Sequence, residues 1–157
     1  MDPALDSSPD TSLGDRCRAL CAGETDAVAV MATLACEIHR SDERFDWTGF
    51  YRVVAPGLLK IGPYQGGHGC LVIPFERGVC GACARTGEVQ LVPDVDVFPG
   101  HIACASSTRS ELVMPVRAGG RLIAVLDIDS DRPDAFTEAD VALLAPIIAD
   151  CFRDVAA

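Results

Sequence analysis

The sequence contains no apolar run long enough to cross a membrane. None of its apolar stretches approaches the roughly 20 residues that a membrane-spanning helix requires. The first 15 residues are acidic and polar, and they lack the basic segment and the following apolar segment of a secretory signal peptide. We therefore expect a cytoplasmic protein.

Positive charge is also scarce. The chain has 13 lysines and arginines against 23 aspartates and glutamates, which gives a formal net charge of -10. Such a surface repels the phosphates of nucleic acids and of anionic membranes. We therefore expect neither nucleic acid nor membrane as a partner, whereas a small zwitterionic or cationic ligand is compatible with this charge.

Internal repeats are absent, and the 157 residues are enough for one domain with a single substantial core. Residues 1–13 are rich in Asp, Ser and Pro, a composition that predicts a flexible leader. Residues 14–157 are then predicted to form a single domain.

Apolar periodicity predicts an α+β fold. Two helices are predicted before residue 40 because apolar residues recur there at helical spacing. A short helix is predicted over Gly78–Gly87, and a final helix from Thr137 to about Val155. Six strands are predicted, and they are Phe45–Val54, Leu58–Pro63, Gly69–Ile73, Gln90–Val92, Ser110–Arg117 and Arg121–Asp129. Because most connections resemble hairpins, we predict a central, mostly antiparallel sheet flanked by the N- and C-terminal helices.

Eight cysteines is a high number for a chain expected in a reducing compartment, where structural disulfides are rare. Buried apolar thiols, metal ligands and reactive thiols are the remaining roles. Four cysteines lie in the terminal helical regions and are predicted to be small buried hydrophobic residues. These are Cys17, Cys21, Cys36 and Cys151.

The other four cysteines lie at strand ends, at a helix start or in a long loop; they are Cys70, Cys80, Cys83 and Cys104. Cys80 falls in the first turn of a predicted helix, where the helix dipole favours a thiolate. With Cys83 it forms a C-x-x-C pair, but a thioredoxin-type motif would follow a strand of a parallel βαβ unit. A zinc site made of Cys80, Cys83, His101 and Cys104 is a second alternative that the spacing leaves open.

Cys104 lies in the segment from Pro93 to Ser110, which has no clear period, and such a long loop inside a small domain is usually functional. Small and turn-forming residues surround the cysteine, and Arg109 could stabilise its thiolate. Two or three thiols that converge on one pocket favour redox cycling over hydrolysis, because a second thiol can convert an oxidised one to a disulfide.

Acidic and aromatic residues could complete a pocket. Asp127 and Asp129 are two apart on a strand and share a face, which Glu111 of the neighbouring strand could join. Such carboxyl groups could bind an ammonium group or, if one is protonated, hydrogen-bond a sulfoxide oxygen; the alternative is a solvated strand end. Trp47 and Tyr51 also share a face and could enclose an alkylammonium or a thioether, or could be ordinary core aromatics.

With these residues assembled, the chain resembles the free methionine-(R)-sulfoxide reductases, which are single GAF domains. The resemblance is close from about Trp47 to Asp129 and looser in the flanking helices. The motifs that carry it are Trp47-Thr-Gly-Phe-Tyr51, Gly62-Pro-Tyr-Gln-Gly66, Gly78-Val-Cys-Gly81, Val92-Pro-Asp-Val95, Phe98-Pro-Gly-His-Ile-Ala-Cys104, Ser110-Glu111 and Leu126-Asp-Ile-Asp-Ser130.

The resemblance implies a GAF-like fold and a thiol mechanism without a metal or an organic cofactor. Cys104 would attack the sulfoxide and become a sulfenic acid, Cys70 would resolve it as a disulfide, and Cys80 would be an additional or relay thiol. Thioredoxin would restore the reduced enzyme. The substrate-binding residues implied in the same way are Trp47, Tyr51, Glu111, Asp127 and Asp129.

Two positions depart from the family pattern. The residue after the catalytic cysteine is commonly Asp but is Ala105 here, which could alter local hydrogen bonding or the pKa of the thiol. Cys83 stands where a small residue without a thiol is usual. A GAF module that senses a small molecule without catalysis is the alternative function, and a homodimer formed through apolar helix faces is a further expectation.

Overall fold

The computed structural model of the chain describes residues 11–156. Six strands form one sheet in the order β3-β2-β1-β6-β5-β4, and every pair of neighbours is antiparallel. The strands are β1 (Trp47–Ala55), β2 (Leu58–Gln65), β3 (Val72–Pro74), β4 (Gln90–Val92), β5 (Ser110–Ala118) and β6 (Arg121–Ser130). The helices are α1 (Leu13–Leu20), α2 (Ala27–Ser41), α3 (Gly78–Thr86) and α4 (Glu138–Cys151). The predicted α+β class with a six-stranded sheet is confirmed.

Two predicted boundaries are wrong. The third strand was expected over Gly69–Ile73, but β3 comprises only Val72–Pro74. As an edge strand, β3 pairs on one side only, where it meets β2, so Pro74 is tolerated there. The last helix ends at Cys151 and not near Val155. Most of the predicted leader, residues 1–10, lies outside the described residues, and α1 begins at Leu13 with the Ser12 side chain accepting a hydrogen bond from the Asp15 N–H.

The sheet separates two apolar cores. Strands β5 and β6 alternate between them, because successive side chains of a strand point to opposite faces. Leu126 and Ile128 pack in a larger core under α1, α2 and α4, whereas Val125 packs in a smaller core with residues of α3. The smaller core is the side on which the pocket described below opens.

The four terminal cysteines behave mostly as predicted. Cys17, Cys21 and Cys151 are buried in the larger core. Cys36 is the exception, since it is partly exposed. Within the described part of the chain, none of the helices combines the length and the apolar character needed to span a bilayer.

Candidate active site

Two loops meet at a disulfide between Cys70 and Cys104. Cys70 lies in the loop between β2 and β3, and Cys104 lies in the long loop before β5. The bond joins residues 34 positions apart in sequence, and the two Cα atoms are 5.2 Å from each other. The two cysteines singled out from the sequence are therefore brought together.

The disulfide lies beside a pocket of about 500 Å³, a volume that includes its open mouth. Cys104 and residues near it line one side of the pocket, and residues from the start of α3 line another. Aromatic side chains of β1 and carboxyl groups of β5 and β6 complete it. Of the sequence-predicted site residues, those lining the pocket are Trp47, Tyr51, Cys80, Cys104, Glu111, Asp127 and Asp129.

Strand register brings the three carboxyl groups together. Asp129 lies opposite Glu111 of β5 and opposite Trp47 of β1, and Asp127 is two residues before it on the same face of β6. Glu111 is 6% exposed and Asp127 is 4% exposed. The alternative of a solvated strand end is therefore wrong for Asp127, which is enclosed with Glu111, whereas Asp129 is partly exposed.

The carboxyl groups hold protons more tightly than ordinary acids do. Burial, followed by the charges of Asp127 and Asp129, raises the pKa of Glu111 well above its usual value. Burial and the charge of Asp127 do the same for the pKa of Asp129. Burial also raises the pKa of Asp127, but hydrogen bonds from Glu111 and Cys80 oppose that rise. The pKa values of Glu111 and Asp129 are therefore strongly raised, whereas the rise in the pKa of Asp127 is opposed by its hydrogen bonds.

Two buried oxygen atoms in this cluster are unsatisfied. Asp127 Oδ1 and Asp129 Oδ1 have no hydrogen-bond partner among the described residues. A buried acceptor left without a partner costs about 1–3 kcal/mol. Both residues line the pocket, so the arrangement favours a ligand that brings several hydrogen-bond donors, such as an ammonium group.

Aromatic side chains of β1 form a wall of the pocket beside the Cys70 loop. The Trp47 ring stacks on Tyr51 and on Tyr64, with ring centroids 5.9 and 5.3 Å apart. The indole Nε1 donates a hydrogen bond of 2.7 Å to the Gly67 carbonyl, which ties the Cys70 loop to β1. Burial and the charge of Asp127 raise the pKa of Tyr51, so its hydroxyl remains a donor. Trp47 and Tyr51 line the pocket and also pack in the smaller core.

Cys80 is buried at 3% exposure, and its thiol donates to Glu111 Oε1 at 3.9 Å. Burial and then the charges of Asp127 and Glu111 raise its pKa well above the usual thiol value. The prediction that the first turn of the helix favours a thiolate here is wrong, because burial and the neighbouring carboxyl groups outweigh the helix dipole. Cys83, fully buried on the same helix, packs in the smaller core and does not line the pocket.

The structure does not assemble the two alternative cysteine sites. Cys104 is bonded to Cys70, and Cys83 is enclosed in the core, so the zinc set predicted from the sequence does not converge. The antiparallel sheet also lacks the parallel βαβ unit that a thioredoxin-type motif requires.

His101, which the sequence suggested only as a zinc ligand, lies beside the carboxyl cluster. Its Nε2 atom is 4.0 Å from Glu111 Oε2. Arg109, which was expected to stabilise the Cys104 thiolate, has an exposed side chain. His68, Thr108 and Tyr64 also lie in or beside the pocket. No periodicity marks His68 and Thr108, because both lie in loops whose path depends on tertiary contacts.

Comparisons with known proteins agree with this geometry. The family model of the GAF domain matches residues 16–150. The chain is 40% identical over 131 residues to the free methionine-R-sulfoxide reductase of Escherichia coli, which covers 83% of this chain and 79% of that protein.

Solved structures give the same relationship. The free methionine-R-sulfoxide reductase of Neisseria meningitidis, solved in complex with its substrate, superposes with a TM-score of 0.83 at 38% identity. That match covers 88% of this chain and 83% of the other. The reduced form of fRMsr from Staphylococcus aureus gives a TM-score of 0.87 at 32% identity, over 92% of this chain and 93% of the other.

Proposed function

Because this chain belongs to the GAF-domain family and, within it, to the free methionine-R-sulfoxide reductases, we propose that it reduces free L-methionine (R)-sulfoxide to methionine. The observation that supports this most strongly is the Cys70–Cys104 disulfide beside a pocket with unsatisfied carboxylate oxygens. A sensor without catalysis would need no such pair of thiols at its ligand pocket.

Recognition of the substrate depends on its free amino group. The α-ammonium donates hydrogen bonds to Asp127 Oδ1 and Asp129 Oδ1, which otherwise lack partners. In a peptide this nitrogen is an uncharged amide with one N–H and a bulky acyl group, so it cannot take the same place. Trp47 and Tyr51 enclose the side chain of the substrate near its sulfur atom. The pocket therefore selects the free amino acid.

The first chemical step oxidises Cys104. Its sulfur attacks the sulfoxide sulfur, the S–O bond of the substrate breaks, and the oxygen ends on Cys104 as a sulfenic acid. The substrate sulfur gains two electrons and leaves as the thioether of methionine. Protonated Glu111 donates a hydrogen bond to the sulfoxide oxygen, a role that its raised pKa supports.

The second step forms the disulfide. Cys70 attacks the Cys104 sulfur, and the sulfenic oxygen leaves as water with the thiol proton. Cys80, buried beside Glu111, is an additional or relay thiol in the proposal, and its position 3.9 Å from that carboxyl group supports contact with the site. The two electrons of the reaction come from thiols, so the proposal includes no cofactor.

The third step restores the thiols. A dithiol protein, thioredoxin, attacks the Cys70–Cys104 disulfide and leaves as its own disulfide. Both cysteines are partly exposed, which supports access for such a partner. A reducing cytoplasm would supply it, and the cytoplasmic location remains a prediction. The homodimer also remains a prediction, supported by the exposure of Val28 on α2 and Leu143 on α4.

The test is an assay in which thioredoxin and its reductase couple turnover to NADPH oxidation. We expect turnover of free methionine (R)-sulfoxide, and little with the (S) epimer or with the N-acetylated amino acid. The Cys104→Ser variant should be inactive, whereas Cys36→Ser, a partly exposed thiol on α2, should keep full activity. Full activity of Cys104→Ser, or equal turnover of the N-acetylated compound, contradicts the proposal.

A further inference from the structure

A thiol and two carboxyl groups converge at the base of the pocket. Cys80 Sγ, a Glu111 oxygen and an Asp127 oxygen all lie within 4.8 Å of one another, and all three residues are buried. Cys80 comes from the start of α3, Glu111 from β5 and Asp127 from β6, so three separate elements hold the group. Of these three residues, only Cys80 belongs to the zinc set that the sequence suggested; His101, the fourth residue considered below, belongs to it as well.

A fourth donor and an unsatisfied acceptor accompany the group. His101 Nε2 is 4.0 Å from Glu111 Oε2. Asp127 is 4% exposed, lines the pocket, and its Oδ1 atom has no hydrogen-bond partner among the described residues. The contacts within the cluster leave this oxygen without a partner, so it indicates that a ligand binds here.

The geometry points to a binding site for a divalent transition-metal ion of the Zn²⁺ class, with Cys80, Glu111 and Asp127 as ligands and His101 as the fourth. Tetrahedral zinc has bonds of about 2.0–2.3 Å, which places its ligand atoms about 3.3–3.8 Å apart. Cys80 Sγ and Glu111 Oε1 are 3.9 Å apart, and His101 Nε2 and Glu111 Oε2 are 4.0 Å apart, so small side-chain rotations bring these atoms to that spacing. Thiolate and imidazole ligands favour Zn²⁺ or Co²⁺ over Mg²⁺ or Ca²⁺, which prefer oxygen ligands alone.

The metal ion is an inhibitor and not a cofactor. It occupies Asp127, which the proposed function assigns to the substrate ammonium group, so this consequence depends on that proposed function. Zn²⁺ therefore competes with free methionine sulfoxide. Neither Cys70 nor Cys104 supplies a ligand, so the site can be probed in a variant that lacks both thiols.

Co²⁺ titration of a Cys70→Ser/Cys104→Ser variant tests the site without reference to activity. We expect one Co²⁺ per chain, a thiolate-to-cobalt charge-transfer band in the near ultraviolet, and displacement by Zn²⁺ but not by Mg²⁺. Adding Cys80→Ser should abolish the band, whereas the matched Cys83→Ser on the same helix should keep it. His101→Gln and the isosteric Glu111→Gln should each lower the Co²⁺ affinity about tenfold or more and keep the fold, which circular dichroism checks.

Two results overturn the inference. One is a charge-transfer band that survives Cys80→Ser, since another thiol then binds the metal; the other is no band in the variant that retains Cys80. Inhibition is measured separately on the wild-type enzyme, where Zn²⁺ should raise the apparent KM for methionine sulfoxide and leave kcat unchanged. A Cys80-dependent cobalt site in a chain that does not reduce methionine sulfoxide would contradict the proposed function and leave the metal site standing.

Discussion

Glu111 and Asp129 lie directly opposite each other on β5 and β6. Burial and the charges of Asp127 and Asp129 raise the pKa of Glu111, whereas burial and the charge of Asp127 raise the pKa of Asp129 against a hydrogen bond with Glu111 that lowers it. Like charges placed opposite each other across two strands destabilise a sheet. The pair is therefore retained at a cost in stability. We attribute the presence of the pair to the pocket, in which the two groups have separate proposed contacts with the substrate.

The free energy of unfolding should depend on pH through the Asp129 carboxyl group. A carboxyl group with a raised pKa in the folded state stabilises the fold only while it is protonated, so stability is lost as pH rises from the ordinary carboxyl range through the raised pKa. Asp129→Asn removes this loss. We expect the free energy of unfolding of Asp129→Asn to exceed that of the wild type by on the order of 1 kcal/mol at pH 8, with a smaller gain at pH 5.

Urea unfolding of the ligand-free proteins at several pH values measures this difference. Asp96→Asn, at an exposed position outside the pocket, is the control and should follow the wild type. A gain in stability that is the same at pH 5 and pH 8 would contradict a raised pKa of Asp129 in the folded protein.

The second prediction concerns substrate binding. Asp127→Asn removes the charge of the acceptor that binds the ammonium group, and a hydrogen bond to a charged group is worth about 1.5–3 kcal/mol. We therefore expect KM for free methionine (R)-sulfoxide to rise roughly 10- to 100-fold with a smaller effect on kcat. Asp131→Asn, an exposed carboxylate just beyond β6, is the matched control for loss of one negative charge. Equal effects of the two substitutions would contradict a direct contact with the substrate.

Some parts of the site could be predicted from the sequence because they follow from local geometry. Two-residue spacing on a strand was enough to place Asp127 and Asp129 on one face. Their burial could not be predicted, because it depends on α3 and the Cys104 loop covering that face. For the same reason the raised pKa of Cys80 was missed, since it results from burial and then from carboxyl groups on β5 and β6 that are distant in sequence.

The ends of the strands also differ in how well the sequence predicts them. The long strands β1, β5 and β6 were predicted almost to their ends, because alternation and turn residues define them locally. The limits of β3 were not, since they are set by pairing with β2 alone. The position of His101 beside Glu111 also depends on the path of a loop that has no periodic pattern.

The third prediction concerns the loop that carries Cys70. A methyl group added at Gly69 would lie 2.9 Å from the Tyr51 hydroxyl and 3.0 Å from the Trp47 ring, so Gly69→Ala should displace the loop. Because Gly69, Trp47 and Tyr51 also line the pocket, we expect methionine release in a single turnover to slow as well, and formation of the Cys70–Cys104 disulfide to slow about tenfold or more. Gly67→Ala is the matched control, because a methyl group there meets no atom within 4 Å. Quenched-flow thiol labelling follows both steps, and equal rates of disulfide formation in the two variants would contradict the steric argument.

The central claim is that Cys104 is oxidised by the substrate and that Cys70 then resolves it. The most direct test treats the reduced protein with one equivalent of free methionine (R)-sulfoxide, without a reductant, and maps the products by mass spectrometry. The account predicts one methionine per chain and a Cys70–Cys104 disulfide, and in Cys70→Ser a sulfenic acid on Cys104 that dimedone traps. Methionine formed while Cys104 remains a free thiol would contradict it.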